Sequence, residues 1–108
     1  MRTLILRFIS GSLTCVLALA MTGFAQSDAA RIFKAKCVLC HSEDGSGDGP
    51  TGKALKAKDL RSEEVQNESD AALVEAITKG KGKMPAFGSK IKPDDVKNLV
   101  TYIRGLKK

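Results

Sequence analysis

The chain has 108 residues, a formal charge of +6, three cysteines, one histidine and no tryptophan. That length admits a single domain, and an aromatic fraction of 5% is low for a chain that must build its own core. Residues 1–25 read as a secretory signal peptide: Arg2 and Arg7 supply a positive start, Phe8 to Ala20 is largely apolar, and Gly23-Phe24-Ala25 sets small residues before Gln26. The apolar run is about 13 residues, shorter than the roughly 20 a bilayer-crossing helix requires. Cleavage near Ala25 is therefore expected, with Ala18-Leu19-Ala20 as a second candidate position, and membrane attachment follows only if the leader is retained. Cys15 lies mid-leader behind Ser12-Leu13-Thr14, a poor match to a lipoprotein signal, and reads as a discarded apolar residue.

Removing 25 residues leaves residues 26–108 as the mature domain, and losing Arg2 and Arg7 lowers the charge from +6 to +4. Two cysteines remain. A domain of 83 residues is marginal on its own core, and such domains usually add a disulfide, a metal or a cofactor. Outside the cytoplasm two cysteines would ordinarily pair.

The pattern along the mature chain is helical. Ser27 is placed as an N-cap with Asp28 in the first turn, opening a helix to about Lys36 whose packing side is Ala29, Ala30 and Phe33. Next comes Cys37-Val38-Leu39-Cys40-His41, the Cys-x-x-Cys-His signature of c-type haem attachment. Two thiols three positions apart on one helical turn can each add across one vinyl group of the macrocycle. The adjoining histidine, the only one in the chain, is then held under the iron. A thioredoxin-like redox pair needs a βαβ setting that this chain does not show. A zinc site needs further Cys or His ligands, and none exists.

Gly45, Gly47, Gly49, Pro50 and Gly52 mark a loop. Lys53 to Lys58 then suits a short helix with Leu55 facing inward, and Leu60 adds a contact to the same pocket. Ser69 reads as an N-cap for a helix to about Lys79 with a Leu73, Ala76, Ile77 stripe, and Gly80 ends it. Met84 is the only methionine of the mature chain. A lone methionine usually fills a core gap, but Gly80-Lys81-Gly82-Lys83-Met84-Pro85 is polar and glycine-rich. That setting suits an iron ligand delivered by a loop, since Met/His is a standard haem arrangement. A neutral thioether favours Fe(II) and closes the sixth position against chemistry at the iron. In the last helix Pro93 fits the first position, Asp94 and Asp95 complement the dipole, and Val96, Leu99, Val100, Ile103 and Leu106 form the buried stripe. Lys107 and Lys108 are expected to close it.

Taken together, Phe33 four residues before Cys37, the Cys-x-x-Cys-His motif, Gly45-Ser46-Gly47-Asp48-Gly49-Pro50, Lys83-Met84-Pro85-Ala86-Phe87, and Leu99 with Tyr102-Ile103-Arg104 resemble the class I cytochrome c family over essentially the whole mature chain. Ser42 departs from the pattern, since many bacterial members have Gly after the histidine. The resemblance implies an all-α fold of three to five short helices wrapped around one haem c, attached through Cys37 and Cys40 with His41 and Met84 as axial ligands. It implies that the first and last helices cross, with Leu99, Tyr102 and Ile103 against Ala29, Ala30 and Phe33. It also implies that a proline carbonyl, here that of Pro50, accepts the ring N–H of His41 and so orients the ligand.

The function implied is an exported, periplasmic electron carrier and not an enzyme. The alternatives are a peroxidase-like haem enzyme or gas sensor, which would need an open sixth position, and a cytochrome subunit of a larger oxidase or dehydrogenase complex. Lys53, Lys56 and Lys58, with Lys81, Lys83, Lys90 and Lys92 around Met84, suggest a rim that steers redox partner proteins with acidic docking surfaces. A solvated face is the alternative reading of such a charge run. Neither nucleic acid nor a small-molecule substrate is expected as a partner.

Overall fold

The computed structural model describes residues 22–108. Six helices follow in order: α1 Thr22–Lys36, α2 Val38–His41, α3 Pro50–Leu55, α4 Glu63–Gln66, α5 Asp70–Lys79 and α6 Pro93–Arg104. The count exceeds the three to five expected because α2 and α4 are single turns of four residues. Among the described residues the only β pairing is an isolated bridge between Lys81 and Met84. Of the expected leader, residues 1–21 lie outside the described residues.

Local sequence accounts for most boundaries. The Ser69 hydroxyl accepts from Ala72 N–H at 3.1 Å, the N-cap expected of it. Ser62 does the same for α4, accepting from Val65 N–H, with Glu63 and Glu64 in the first turn. Pro93 opens α6, ahead of Asp94 and Asp95. Two expected ends differ. Helix α1 begins at Thr22, so Ser27 lies within it rather than capping it. Helix α6 stops at Arg104, before Lys107 and Lys108, because Gly105 is a weak helix former.

The core forms where α1 crosses α6, with α5 against the other side of α6. Ala29, Phe33, Val96 and Leu99 are essentially inaccessible to water. The small Ala29 lets the two helix backbones approach, and the rings of Phe33 and Tyr102 meet at 5.0 Å in a tilted pair. Leu73 and Ile77 of α5 join the same cluster, as do Val65 of α4 and Leu60 and Ile91 from the connecting segments. Arg104 ties the far end together: its guanidinium donates to the carbonyls of Gln66 and Glu68, which end α4 and precede α5, and pairs with Asp70 at 2.9 Å. Gln66 Nε2 closes the joint by donating to the carbonyls of Leu60 at 2.7 Å and Ile103 at 3.0 Å.

Leu99 has no solvent exposure and sits in the centre of this cluster. Leu99→Ala is expected to cost about 2–5 kcal/mol of stability, read as a lowered denaturant midpoint with an unchanged slope.

Candidate metal centre

The backbone ladder of α1 runs on into the motif. Cys37 N–H donates to Phe33 C=O at 2.9 Å, and His41 N–H donates to Cys37 C=O at 2.9 Å. Cys37 and Cys40 therefore sit one turn apart, both as free, half-buried thiols. Burial pushes the Cys37 thiol up to about 11. Leu39, between them, is turned to solvent with 76% exposure.

The imidazole of His41 is held from a direction that sequence reasoning missed. Its Nδ1 lies 3.0 Å from the carbonyl oxygen of Lys58. A carbonyl only accepts, so Nδ1 is the donor, and in the neutral ring that tautomer leaves the lone pair on Nε2. The expectation that Pro50 accepts this bond is corrected: Pro50 is the exposed first residue of α3. Its ring serves to start that helix, where a missing N–H costs nothing. A main-chain acceptor 17 residues from the histidine has no side-chain signature, and no signal in the sequence distinguished Lys58 for this role.

Lys58 is pinned on both sides. Ala57 N–H donates to Gly52 C=O and Leu60 N–H to Gly45 C=O, each at 2.8 Å, while Gly47 N–H donates to His41 C=O at 2.8 Å. This interlock leaves no room for side chains. A methyl group at Gly52 would fall on the carbonyl oxygens of Cys40 and Gly47. At Gly47, with φ +74°, it would stand 3.0 Å from the Ala57 oxygen and 3.5 Å from that of Lys58. The Lys58 side chain leaves this interlock and pairs with Glu64 at 2.6 Å. That hydrogen bond holds the Glu64 carboxyl below its usual range and the Lys58 ammonium above its own.

Ser42, the departure noted in the sequence, stands at φ 66° and ψ 163°, a region that glycine normally occupies. Its hydroxyl accepts from Gly49 N–H at 3.2 Å, which anchors the serine there.

Met84 arrives on a closed turn. Lys81 N–H donates to Met84 C=O at 3.1 Å, and Met84 N–H returns to Lys81 C=O at 3.0 Å. Gly80, at φ +77°, permits the reversal, since a methyl there would stand 2.6 Å from the Met84 oxygen. Phe87 N–H to Ile77 C=O at 2.9 Å and Gly88 N–H to Thr78 C=O at 3.0 Å fasten the segment to the end of α5.

These parts meet in one cleft of about 330 Å³. Cys37, Cys40, His41 and Met84 all line it, and Phe33, Leu60, Leu73, Ile77, Leu99 and Ile103 supply apolar walls. Leu55 faces the cleft as expected while remaining 38% exposed. Of the lysines expected at its rim, Lys56, Lys58, Lys81 and Lys83 are there, joined by Lys36. Lys53, Lys90 and Lys92 do not line it, although the Lys90 ammonium lies 6.0 Å from the ring centroid of the lining residue Phe87. Two thiols on one turn, an oriented imidazole, a thioether and apolar walls form a donor set that fits a flat, apolar, iron-bearing macrocycle.

Comparison with known proteins agrees. Residues 24–103 match the family described as cytochrome c oxidase, cbb3-type, subunit III. The chain is 37% identical over 76 residues to cytochrome c6 of Microcystis aeruginosa, covering 70% of this chain and 90% of that one. It is 36% identical over 83 residues to the cbb3-type cytochrome c oxidase subunit FixP of Azorhizobium caulinodans, covering 76% of this chain but 27% of FixP. Among solved structures, the KustC0563 c-type cytochrome superposes with a TM-score of 0.68 at 33% identity, over 74% of this chain and 98% of that one. Fold and cleft thus define a small class I cytochrome c with covalently attached haem c. The chain belongs to the cytochrome c family that the subunit III match describes, and it is an electron carrier.

Serine and glycine at position 42 separate strain from bonding. Ser42→Ala and Ser42→Gly both lose the bond to Gly49, but only the glycine relieves the backbone. The glycine variant is expected to be more stable than the alanine variant by about 1 kcal/mol, measured by denaturant unfolding of the haem-loaded protein.

Proposed function

We propose that this protein is an exported, periplasmic one-electron carrier, not an enzyme, in which Cys37 and Cys40 would hold haem through thioethers and His41 and Met84 would ligate its iron. The observation that carries the reading is the convergence of these four side chains on one apolar cleft. Bound haem supplies an iron that changes between Fe(III) and Fe(II) by one electron.

The chain's residues do the rest. His41 presents Nε2 because Nδ1 is committed to the Lys58 carbonyl, which also raises the basicity of the ring. Met84 is held by its closed turn, so a ligand of modest strength need not be ordered on binding. The apolar walls keep water from the cleft and favour the less charged state of the site. With His41 and Met84 both assigned to the iron, no histidine remains in the chain to serve as a peroxidase's acid–base group. The signal-like residues 1–25 and the haem motif support export, since such attachment is a feature of extracytoplasmic maturation.

Lys36, Lys56, Lys81 and Lys83 around the mouth of the cleft favour partners with acidic docking surfaces. A place within a larger oxidase is a second reading, and the likeness to part of FixP favours it.

Two outcomes test this. Coexpression with haem-maturation machinery is expected to yield covalent haem and the long-wavelength Met–iron band in the ferric spectrum. Cys37→Ala with Cys40→Ala abolishes the first, and Met84→Ala abolishes the second and lowers the reduction potential. Covalent haem in the double cysteine variant would overturn the assignment. Electron transfer to an acidic partner is expected to slow at least tenfold between low and high ionic strength, measured by stopped flow, and a flat salt dependence would remove the docking rim.

A further inference from the structure

Lys58 has two attachments. Its carbonyl oxygen accepts from His41 Nδ1 at 3.0 Å, and its ammonium reaches Glu64 Oε1 at 2.6 Å. The first does not depend on the second. The main chain at Lys58 is fixed by the bonds of Ala57 to Gly52 and of Leu60 to Gly45, each 2.8 Å. The side chains of Lys58 and Glu64 are 61% and 65% exposed, so their pairing contributes little to stability. What the pair does is set a positive and a negative charge, mutually cancelling, within one side-chain length of the carbonyl that holds His41. Glu68 and Lys81 add weaker opposed charges, Glu68 acting on Lys58 and Lys81 on Glu64 through space.

We propose that Lys58 and Glu64 form a compensated charge pair in which each partner cancels the shift that the other alone would impose on the reduction potential from the His41 side of the cleft. The inference rests on the reading of His41 as an axial ligand. A net positive charge near the iron favours Fe(II) and raises the potential, and a net negative charge lowers it. Paired, the two charges nearly cancel. Separated, each acts alone, in opposite directions. A merely structural brace behaves differently, because loss of either partner loosens the same contact and moves the potential in one direction.

The test uses the full chain carrying covalent haem, with Glu64→Gln, Lys58→Gln and the double variant. None of these removes the main-chain bond to His41. Redox titration at low ionic strength is expected to show Glu64→Gln raised, Lys58→Gln lowered and the double variant close to the parent. Both single shifts shrink at about 1 M salt, where screening extends only about 3 Å. The Met–iron band and the covalent haem stay unchanged in all three. Shifts in the same direction, or no shift at low salt, overturn the charge pair while leaving the ligand assignment standing. A parent protein without covalent haem, or without the ligand band, overturns that assignment and the pair's role with it.

Discussion

The interlock between the Cys40–His41 turn and the start of α3 is the constraint on which the site depends. Gly52 sits where any side chain would strike the carbonyls of Cys40 and Gly47, and Gly47 sits against the carbonyls of Ala57 and Lys58. Because these backbones touch, the Lys58 oxygen stands 3.0 Å from the histidine ring and fixes its orientation. The thiols are placed by the same turn, through the ladder that leaves Phe33 and runs to His41. Orientation of the His41 ring is thus a property of main-chain packing, protected from side-chain variation at Lys58 itself.

The Met84 segment of the cleft is built on another principle. Met84 is not set by helix packing but by a four-residue turn closed on itself and fastened to the last carbonyls of α5. One side of the cleft is rigid through close approach, and the other through a small hydrogen-bonded loop. The apolar walls join the two through Leu73 and Ile77 of α5 and Leu99 and Ile103 of α6.

Much of this was legible in the sequence, for identifiable reasons. The α6 stripe Val96, Leu99, Val100, Ile103 is buried as its spacing implies, and Ser69 and Pro93 open their helices as their chemistry implies. Cys37, Cys40, His41 and Met84 carry side chains whose chemistry is rare enough to be noticed, and one cleft gathers them. What escaped was main-chain work. Pro50 drew attention because proline is conspicuous, yet the acceptor is the carbonyl of a lysine, which any residue would provide. The loop glycines announced a loop but not which of them makes a close approach, since that depends on what lies across from each. Ser42 was the exception that spoke locally: a non-glycine residue where many relatives have glycine does stand at a positive φ. Helix α4 was missed because four residues offer no periodicity, although Ser62 caps it in the usual way.

Phe33, Leu60, Leu99 and Ile103 belong at once to the hydrophobic core and to the wall of the cleft. A side chain with packing atoms on one side only forfeits part of its dispersion energy, so the cofactor completes the interior rather than occupying a finished one. A domain within a 108-residue chain has little stability to spare for such a gap. Attachment of haem and consolidation of the fold are therefore coupled. The yield of folded protein is expected to follow the supply of haem as well as synthesis of the chain.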